Sequence, residues 1–199
     1  ASREFLPPSP PKYIILLSRQ RSSSTTMSYL LGQHPCSLHG NEMWYPAPRQ
    51  DVLHAHRHTD MSPADVKKDP HAFLNSVHDE ICNEAIESGK ISASCEGKCA
   101  IVIKTFDIHH LSLDGIFSMM EDPEFRFVVL ERKLEDEYCS YLVATIAGDY
   151  GTVPSEHIKG SADNITCGSP PEEYADKHVT WFRTMRDALR TRGTFFVDV

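Results

Sequence analysis

The length, composition and charge of this chain exclude several classes of protein. It has 199 residues, of which 40% are apolar and 24% charged, as is typical of a globular domain large enough to bury a core. Its 28 acidic residues outnumber its 20 lysine and arginine residues, and the formal net charge is −8. This balance argues against a broad surface for nucleic acid or anionic membranes, although it leaves room for a small basic pocket. No apolar run reaches the roughly 18 residues that a membrane-spanning helix needs.

Strand-like and helix-like segments alternate along the chain. Proline-rich residues 1–12 are expected to be a linker that begins at a trimmed or processed end, and residues 13–199 to be a single domain. Apolar runs predict strands at residues 13–17, 100–103, 125–130 and 194–197. Helical periodicity, caps and breakers predict helices at residues 24–33, 70–89, 109–120, 134–147 and 171–192. Residues 36–69 and 148–170 are predicted to be long loops.

This alternation predicts an α/β fold of three layers, with a central, mainly parallel sheet and helices on both faces. Ligands of such sheets bind at the carboxyl ends of the strands. The residues that follow the predicted strands are therefore the first candidates for a functional site.

The loop after the first strand is unusually rich in hydroxyl and guanidinium groups. A helix N-terminus binds anions through its free N–H groups, and one hydroxyl would be enough to cap it. The surplus of donors predicts a phosphate or sulfate site, although helix capping alone is the simpler reading. The nucleoside-triphosphate pattern GxxxxGK[ST] is absent, since no glycine lies between Pro11 and Gly32. The candidate ligands are Arg19, Arg21, Ser22, Ser23, Ser24, Thr25 and Thr26.

Two further polar residues follow the third predicted strand. Arg132 ends that strand, and Ser140 comes eight residues later within the next helix. An arginine offers a charge-assisted fork and a serine a directional donor, but this spacing alone does not indicate a phosphate site. By itself it favours an exposed Arg132 that pairs with Asp136.

Together, the two motifs resemble those of sulfotransferases that use 3′-phosphoadenosine 5′-phosphosulfate (PAPS), over about residues 13–145. The family's 5′-phosphosulfate loop is a basic residue, Ser, Gly, Ser or Thr, and Thr, which corresponds here to residues 21–25. Its 3′-phosphate motif corresponds to Arg132 and Ser140. The resemblance implies a P-loop-NTPase-like sulfotransferase fold, PAPS as co-substrate, 3′-phosphoadenosine 5′-phosphate (PAP) as product, and no metal.

One position departs from the family's loop, because Ser23 stands where the family usually has glycine. If the backbone there needs a positive φ, the serine costs about 1 kcal/mol.

Sulfuryl transfer requires a cation beside the moving group and a base for the acceptor's proton. Lys104, at the end of the second predicted strand, is the candidate donor to the sulfuryl or bridging oxygen. Cytosolic family members have a histidine base in a Lys-Thr-His stretch, but Phe106 occupies that place here. Some bacterial and carbohydrate-directed members use a glutamate that follows the second strand of the family's fold. Glu42 lies in the stretch that resembles this region and is the candidate base. The apolar neighbours of Glu42 would raise the pKa of its carboxyl group toward neutrality. The alternatives are a Glu42 that merely pairs with an arginine, and His109 or His110 as base.

We therefore expect a sulfotransferase that transfers the sulfuryl group to a hydroxyl-bearing small molecule or carbohydrate by in-line displacement with general-base assistance. The two long loops are the expected acceptor walls. A P-loop kinase or other nucleotide phosphotransferase is the alternative enzyme, disfavoured because the Gly-Lys pair and an obvious magnesium carboxylate are missing. An inactive relative that binds anions or a partner protein is the third reading. Many sulfotransferases carry a further nucleotide-binding segment near the C-terminus that is not recognised here, so either the base stacks elsewhere or the C-terminus is truncated.

The remaining features are assigned structural roles. The six cysteines form no paired CxxC sites, which disfavours zinc; Cys95 and Cys99 could form a small disulfide or stay free. The compartment therefore stays open between the cytoplasm and the Golgi lumen. The three histidines of residues 54–58 lack a partner carboxylate, and no metal is predicted. An acidic group is expected to be a solvated helix start: Glu131, Glu135, Asp136 and Glu137. Three residues of the last predicted helix are expected to lie in the core: Trp181, Phe182 and Met185.

Overall fold

The computed structural model describes residues 10–19, 23–44, 55–106, 109–146, 169–190 and 195–198. The strands are β1 (Tyr13–Ser18), β2 (Ser37–Asn41), β3 (Ala100–Thr105), β4 (Phe125–Glu131) and β5 (Phe195–Asp198). The helices are α1 (Ser24–Leu31), α2 (Pro63–Lys68), α3 (Pro70–Glu87), α4 (Leu113–Glu121), α5 (Leu134–Ile146) and α6 (Glu172–Arg190). Short 3₁₀ turns cover Ala55–His58 and Ala93–Cys95.

The five strands form one sheet in the order β2-β3-β1-β4-β5, and every pair of neighbours is parallel. Helices flank the sheet, so the prediction of a three-layer α/β fold with a parallel sheet is confirmed. The central strands β1 and β3 are apolar over residues 13–17 and 100–103 because both of their faces are covered. No helix of the described ranges is long and apolar enough to cross a bilayer.

The strand order places a crevice at the carboxyl end of β1. After β1 the chain crosses toward β2 at one edge, whereas after β3 it passes β1 to reach β4, and β5 lies beyond β4. The connection that leaves β1 thus runs toward the β2 edge of the sheet, whereas the connections that leave its neighbours β3 and β4 run toward the β5 edge. Ligand crevices of open α/β sheets form at such reversals.

The core lies between the sheet and its helices. Helix α3 buries Phe73, Leu74 and Val77 among its core residues, and the hydroxyl of Tyr13 donates to the Leu74 carbonyl over 2.6 Å. Burial, with smaller effects of nearby carboxylates, raises the Tyr13 pKa well above its usual value. The expectation that α6 contributes to the core is confirmed: Phe182 and Met185 are buried, and Trp181 packs against the core cluster.

The prediction that residues 36–69 form a loop is wrong, because β2, one 3₁₀ turn and α2 lie within them. Strand β2 reads Ser-Leu-His-Gly-Asn, which is too short and polar to be recognised by periodicity, and it forms by pairing with β3. Strand β3 extends through Thr105, so Lys104 lies inside the strand and not beyond its end. Helix α4 begins at Leu113, four residues later than predicted, because the Ser112 side chain caps it by accepting from the Gly115 N–H over 3.1 Å.

Two disulfides connect the β2–β3 edge of the fold. Cys36 is bonded to Cys95, and Cys82 of α3 is bonded to Cys99. A Cys95–Cys99 bridge is therefore ruled out, because the two cysteines of that turn reach different elements. Cys139 is also disulfide-bonded, so none of the cysteines in the described ranges is free.

Candidate functional site

The first turn of α1 begins directly at the carboxyl end of β1. Ser23, its N-cap, has φ 61° and ψ 18°, a left-handed conformation that favours glycine. Ser23 thus has the positive φ at which a serine is strained. This conformation explains why a glycine is expected at the corresponding position of the sulfotransferase motif. The Ser23 side chain does not cap the helix. Arg21 and Ser22, the other expected loop ligands on this side, lie outside the described residues, whereas Ser24, Thr25 and Thr26 form the helix start.

Lys104 connects this helix start to the neighbouring strand. It lies opposite Leu16 of β1 and is only 4% exposed. Its Nζ donates to Thr25 Oγ1 over 3.2 Å and lies 3.5 Å from Glu42 Oε1. A buried ammonium needs such an opposite charge, because desolvation would otherwise make it very costly.

The end of β2 directs Glu42 toward Lys104. Gly40 approaches β3 so closely that a Cβ would lie 2.8 Å from Ile101 Cγ2. The register with β3 then shifts between His39 and Asn41, and Asn41 adopts φ 50°. This irregularity turns the chain, and the carboxylate of Glu42, with 15% of the side chain exposed, lies between Lys104 and His109.

His109 completes this cluster. The ring is 2% exposed, and its Nδ1 accepts from the Phe106 N–H over 3.1 Å. A neutral ring that accepts at Nδ1 carries its proton on Nε2, and Nε2 lies 3.7 Å from Glu42 Oε2. His110, the other histidine considered as a base, is exposed. Because α4 begins only at Leu113, residues 109–112 are not α-helical, and in this conformation the His109 ring is buried.

The surrounding aromatic residues fix the cluster in place. Trp44 is buried, and its Nε1–H lies 3.1 Å from both the Lys104 carbonyl and Thr105 Oγ1. Lys104 Nζ lies 5.9 Å from the centre of the Phe106 ring. We call Glu42, Lys104 and His109 the acidic–basic cluster. The three residues predicted to be catalytic are thus brought together, beside the first turn of α1.

Arg19 lies on the other side of β1 and has a structural role. Its Nε is 2.8 Å from Glu137 Oε2, its Nη2 donates to the Arg132 carbonyl, and its guanidinium lies 5.2 Å from the centre of the Phe182 ring. The prediction that Glu137 is solvated is wrong, because it is 1% exposed. The reason is that the first turn of α5 faces the end of β1, where Arg19 compensates the carboxylate.

Arg132 follows β4 and lines a pocket of about 310 Å³ between the ends of β1 and β4 and helix α6. Ser140, its predicted partner, is half-buried on α5 and is not among the residues that line this pocket. Sequence reasoning missed the contribution of α6, since Arg183 and Arg186 were not recognised as candidates. Their spacing of three residues on a helix was the only available signal.

His56 and His58 pack against α3, whereas His54 lies outside the described residues. His58 Nδ1 lies 2.9 Å from Glu80 Oε2, and Arg57 pairs with Glu84, so the expectation that this patch lacks carboxylate partners is wrong. His56 Nε2 is 3.1 Å from the Met43 carbonyl, and burial lowers the His56 pKa from its usual value against the opposing effect of backbone hydrogen bonds.

A different group has the geometry of a metal site. His78, Cys82 and Cys99 place their potential ligand atoms within 4.8 Å of one another. The two sulfurs form a disulfide with each other, and a metal would require thiolates. The geometry of this group therefore reflects a histidine packed beside a disulfide.

The chain matches no family model, no curated protein and no solved structure. What it can do must therefore be argued from the geometry. A carboxylate held between an ammonium and an imidazole can take up a proton, and the adjacent helix N-terminus can bind an anion. The fold and this site define an α/β protein with a polar centre at the carboxyl end of its sheet.

Proposed function

We propose that this chain is a PAPS-dependent sulfotransferase that acts on a hydroxyl-bearing acceptor. The observation that carries the proposal is the position of the acidic–basic cluster beside the first turn of α1, where Lys104 Nζ contacts both Thr25 and Glu42. A general base, a cation and a candidate anion site thus lie within a few ångströms of one another. These are the three parts that sulfuryl transfer needs.

Each residue of the cluster has a distinct role in the proposed reaction. The acceptor hydroxyl attacks the sulfur of PAPS, an S–O bond forms, and the S–O bond to the 5′-phosphate breaks as PAP leaves. Glu42 takes the acceptor's proton. Lys104 stabilises the negative charge that develops on the bridging oxygen. His109 positions the Glu42 carboxylate electrostatically, with Nε2 at 3.7 Å from Oε2.

The anion contacts of the donor come from two places in this proposal. The backbone N–H groups of the first turn of α1, with Ser24, Thr25 and Thr26, would hold the 5′-phosphosulfate. Arg132 would hold the 3′-phosphate at the pocket beyond β4. The strand order supports this arrangement, because both places lie beside the carboxyl end of β1. No metal is required, since cationic side chains supply the positive charge.

The disulfides support an oxidising compartment for this enzyme. Disulfides persist in the secretory pathway and outside the cell, and they are rare in the reducing cytoplasm. Of the two compartments that the sequence left open, the proposal therefore favours the Golgi lumen, where carbohydrate and protein hydroxyls are available as acceptors.

Nucleotide binding and turnover test this function together. We expect the chain to bind PAP in the presence of EDTA and to transfer sulfuryl from PAPS to at least one member of a panel of sugars, phenols and tyrosine peptides. Tighter binding of Mg-ATP than of PAP would overturn the proposal in favour of a phosphotransferase. PAP binding without turnover on the whole panel would overturn it in favour of an inactive relative.

Substitution of the base gives the sharper test. We expect Glu42→Gln to lower kcat by about 10²- to 10⁴-fold, the usual contribution of a general base, with PAP affinity within twofold of wild type. Glu96→Gln, at an exposed carboxylate in the Ala93–Cys99 turn, is the matched control and should leave kcat unchanged. Retained turnover in Glu42→Gln would show that the base lies elsewhere.

His109 is tested as a positioning residue. His109→Ala should lower kcat with KM unchanged, and His109→Gln, whose amide can donate toward Glu42, should restore part of the loss. Equal losses in both variants, with KM raised, would contradict the assignment.

A further inference from the structure

A basic pocket lies on the β4 side of the crevice, away from the acidic–basic cluster. It has a volume of about 310 Å³, and its polar lining consists of Arg19, Arg132, Arg183, Arg186 and Glu131. The carboxylate of Glu137 compensates Arg19, so the guanidinium groups of Arg132, Arg183 and Arg186 face the lining carboxylate of Glu131 in a chain whose net charge is −8. Such a concentration of positive charge on an acidic protein requires a specific explanation.

The pocket has a rigid frame. Arg19 is held by buried Glu137 and by the Arg132 carbonyl, and its guanidinium lies against the Phe182 ring. Phe182, Met185 and Leu189 fix α6 to the core. Arg183 and Arg186 are three residues apart, so they share one side of this fixed helix.

The internal ion pairs leave positive charge for a ligand. Arg186 Nη1 lies 3.6 Å from Glu131 Oε1 and its Nε lies 3.2 Å from Asp187 Oδ1, so much of its charge is compensated. Arg183 makes no ion pair with a carboxylate of the described ranges. Arginine binds phosphate through two parallel N–H donors, and a dianion matches several guanidinium groups better than a carboxylate does.

We propose that this pocket binds a phosphate monoester dianion and that Arg183 and Arg186 of α6 are its ligands together with Arg132. The inference rests on the proposed function, in which the dianion is the 3′-phosphate of the nucleotide. It adds α6 to the donor site: this helix holds the phosphate farthest from the reacting sulfur.

The test compares two nucleotides that differ only in the 3′-phosphate. Calorimetric titration of the full chain is carried out with adenosine 3′,5′-bisphosphate and with adenosine 5′-phosphate. We expect the double variant Arg183→Gln/Arg186→Gln to weaken the bisphosphate by about 10- to 100-fold and the 5′-phosphate by less than twofold. Arg126→Gln, which removes an arginine at the opposite end of β4, is the matched control and should change neither affinity.

A second variant is expected to act in the opposite direction, which a folding defect could not imitate. Glu131→Gln removes the one carboxylate among the described residues that line the pocket and releases Arg186 Nη1, so it should tighten the bisphosphate by several-fold and leave the 5′-phosphate unchanged. Unchanged or weakened bisphosphate binding in Glu131→Gln would overturn the inference. Equal losses for both nucleotides in the double variant would overturn it as well.

The inference and the proposed function fail in different ways. If the double variant loses the 3′-phosphate preference but the wild type transfers no sulfuryl group from PAPS, the pocket assignment stands and the function is wrong. If the wild type transfers sulfuryl while the double variant keeps its preference for the bisphosphate, the function stands and the pocket assignment is wrong.

Discussion

At the scale of single residues, Ser23 adopts a backbone conformation that the turn requires but that strains a residue with a side chain. The chain must turn sharply between β1 and α1, and the residue at this turn has φ 61°. An L-residue with a side chain is strained there by about 1–2 kcal/mol relative to glycine. The side chain makes no capping hydrogen bond that would offset the strain.

Ser23→Gly is therefore expected to stabilise the protein. Removal of the strain should raise the free energy of unfolding by about 1 kcal/mol, as measured by urea denaturation. Ser23→Ala is the matched control and should stay within about 0.5 kcal/mol of wild type, because alanine retains the Cβ and no cap is lost. A glycine variant that is less stable than the alanine variant would show that the serine has a stabilising contact.

At the scale of elements, one buried ion pair joins three segments that are distant in the chain. Arg19 leaves the end of β1, Glu137 lies in the first turn of α5, and Phe182 of α6 packs against the guanidinium. Arg19 also donates to the carbonyl of Arg132, the residue that follows β4, and so joins the ends of β1 and β4. Helices α5 and α6 are thus oriented around the end of β1 by charge as well as by apolar packing.

Glu137→Ala should consequently be strongly destabilising. It leaves the largely buried guanidinium of Arg19 without its carboxylate, and loss of one member of a buried pair costs about 3–5 kcal/mol. Glu135→Ala, at an exposed position of the same helical turn, should change the free energy of unfolding by less than about 0.5 kcal/mol. Chemical denaturation of both variants distinguishes the two sites. Similar stabilities would mean that Glu137 is solvated after all.

At the scale of the whole molecule, two disulfides cross-link the β2–β3 side of the fold. Cys36–Cys95 links the chain before β2 to the turn before β3, and Cys82–Cys99 links α3 to the same turn. Lys104 lies on β3 and Glu42 directly follows β2, so both belong to this cross-linked side of the fold.

The two disulfides should stabilise the fold to different degrees. They close loops with sequence separations of 59 and 17 residues, and a longer loop restricts the unfolded chain more. We expect Cys36→Ala/Cys95→Ala to lose about 1 kcal/mol more stability than Cys82→Ala/Cys99→Ala. Thermal and urea unfolding under non-reducing conditions provide the measurement. The opposite order would indicate that native packing around the buried Cys82 and Cys99 outweighs loop closure.

The sequence by itself determined the features that depend on neighbouring residues. Apolar runs and helical periodicity predicted four strands and five helices in nearly correct positions, because each pattern is local. Lys104 became a candidate because it follows a predicted strand, and parallel strands bring their carboxyl ends to one edge. Glu42 became a candidate only through the resemblance to sulfotransferases. The loop motif even identified Ser23 as a place where the backbone conformation would matter.

Only the tertiary structure decided the features that depend on partners distant in the chain. Strand β2 forms because β3 pairs with it, Glu137 is buried because Arg19 is opposite, and Cys95 and Cys99 bond to Cys36 and Cys82 instead of to each other. The pocket of α6 arginines likewise exists only after α6 has packed against the end of β1. In each case the deciding interaction joins segments that are distant in the chain. Sequence patterns report only on neighbouring residues, so local propensity could not predict these interactions.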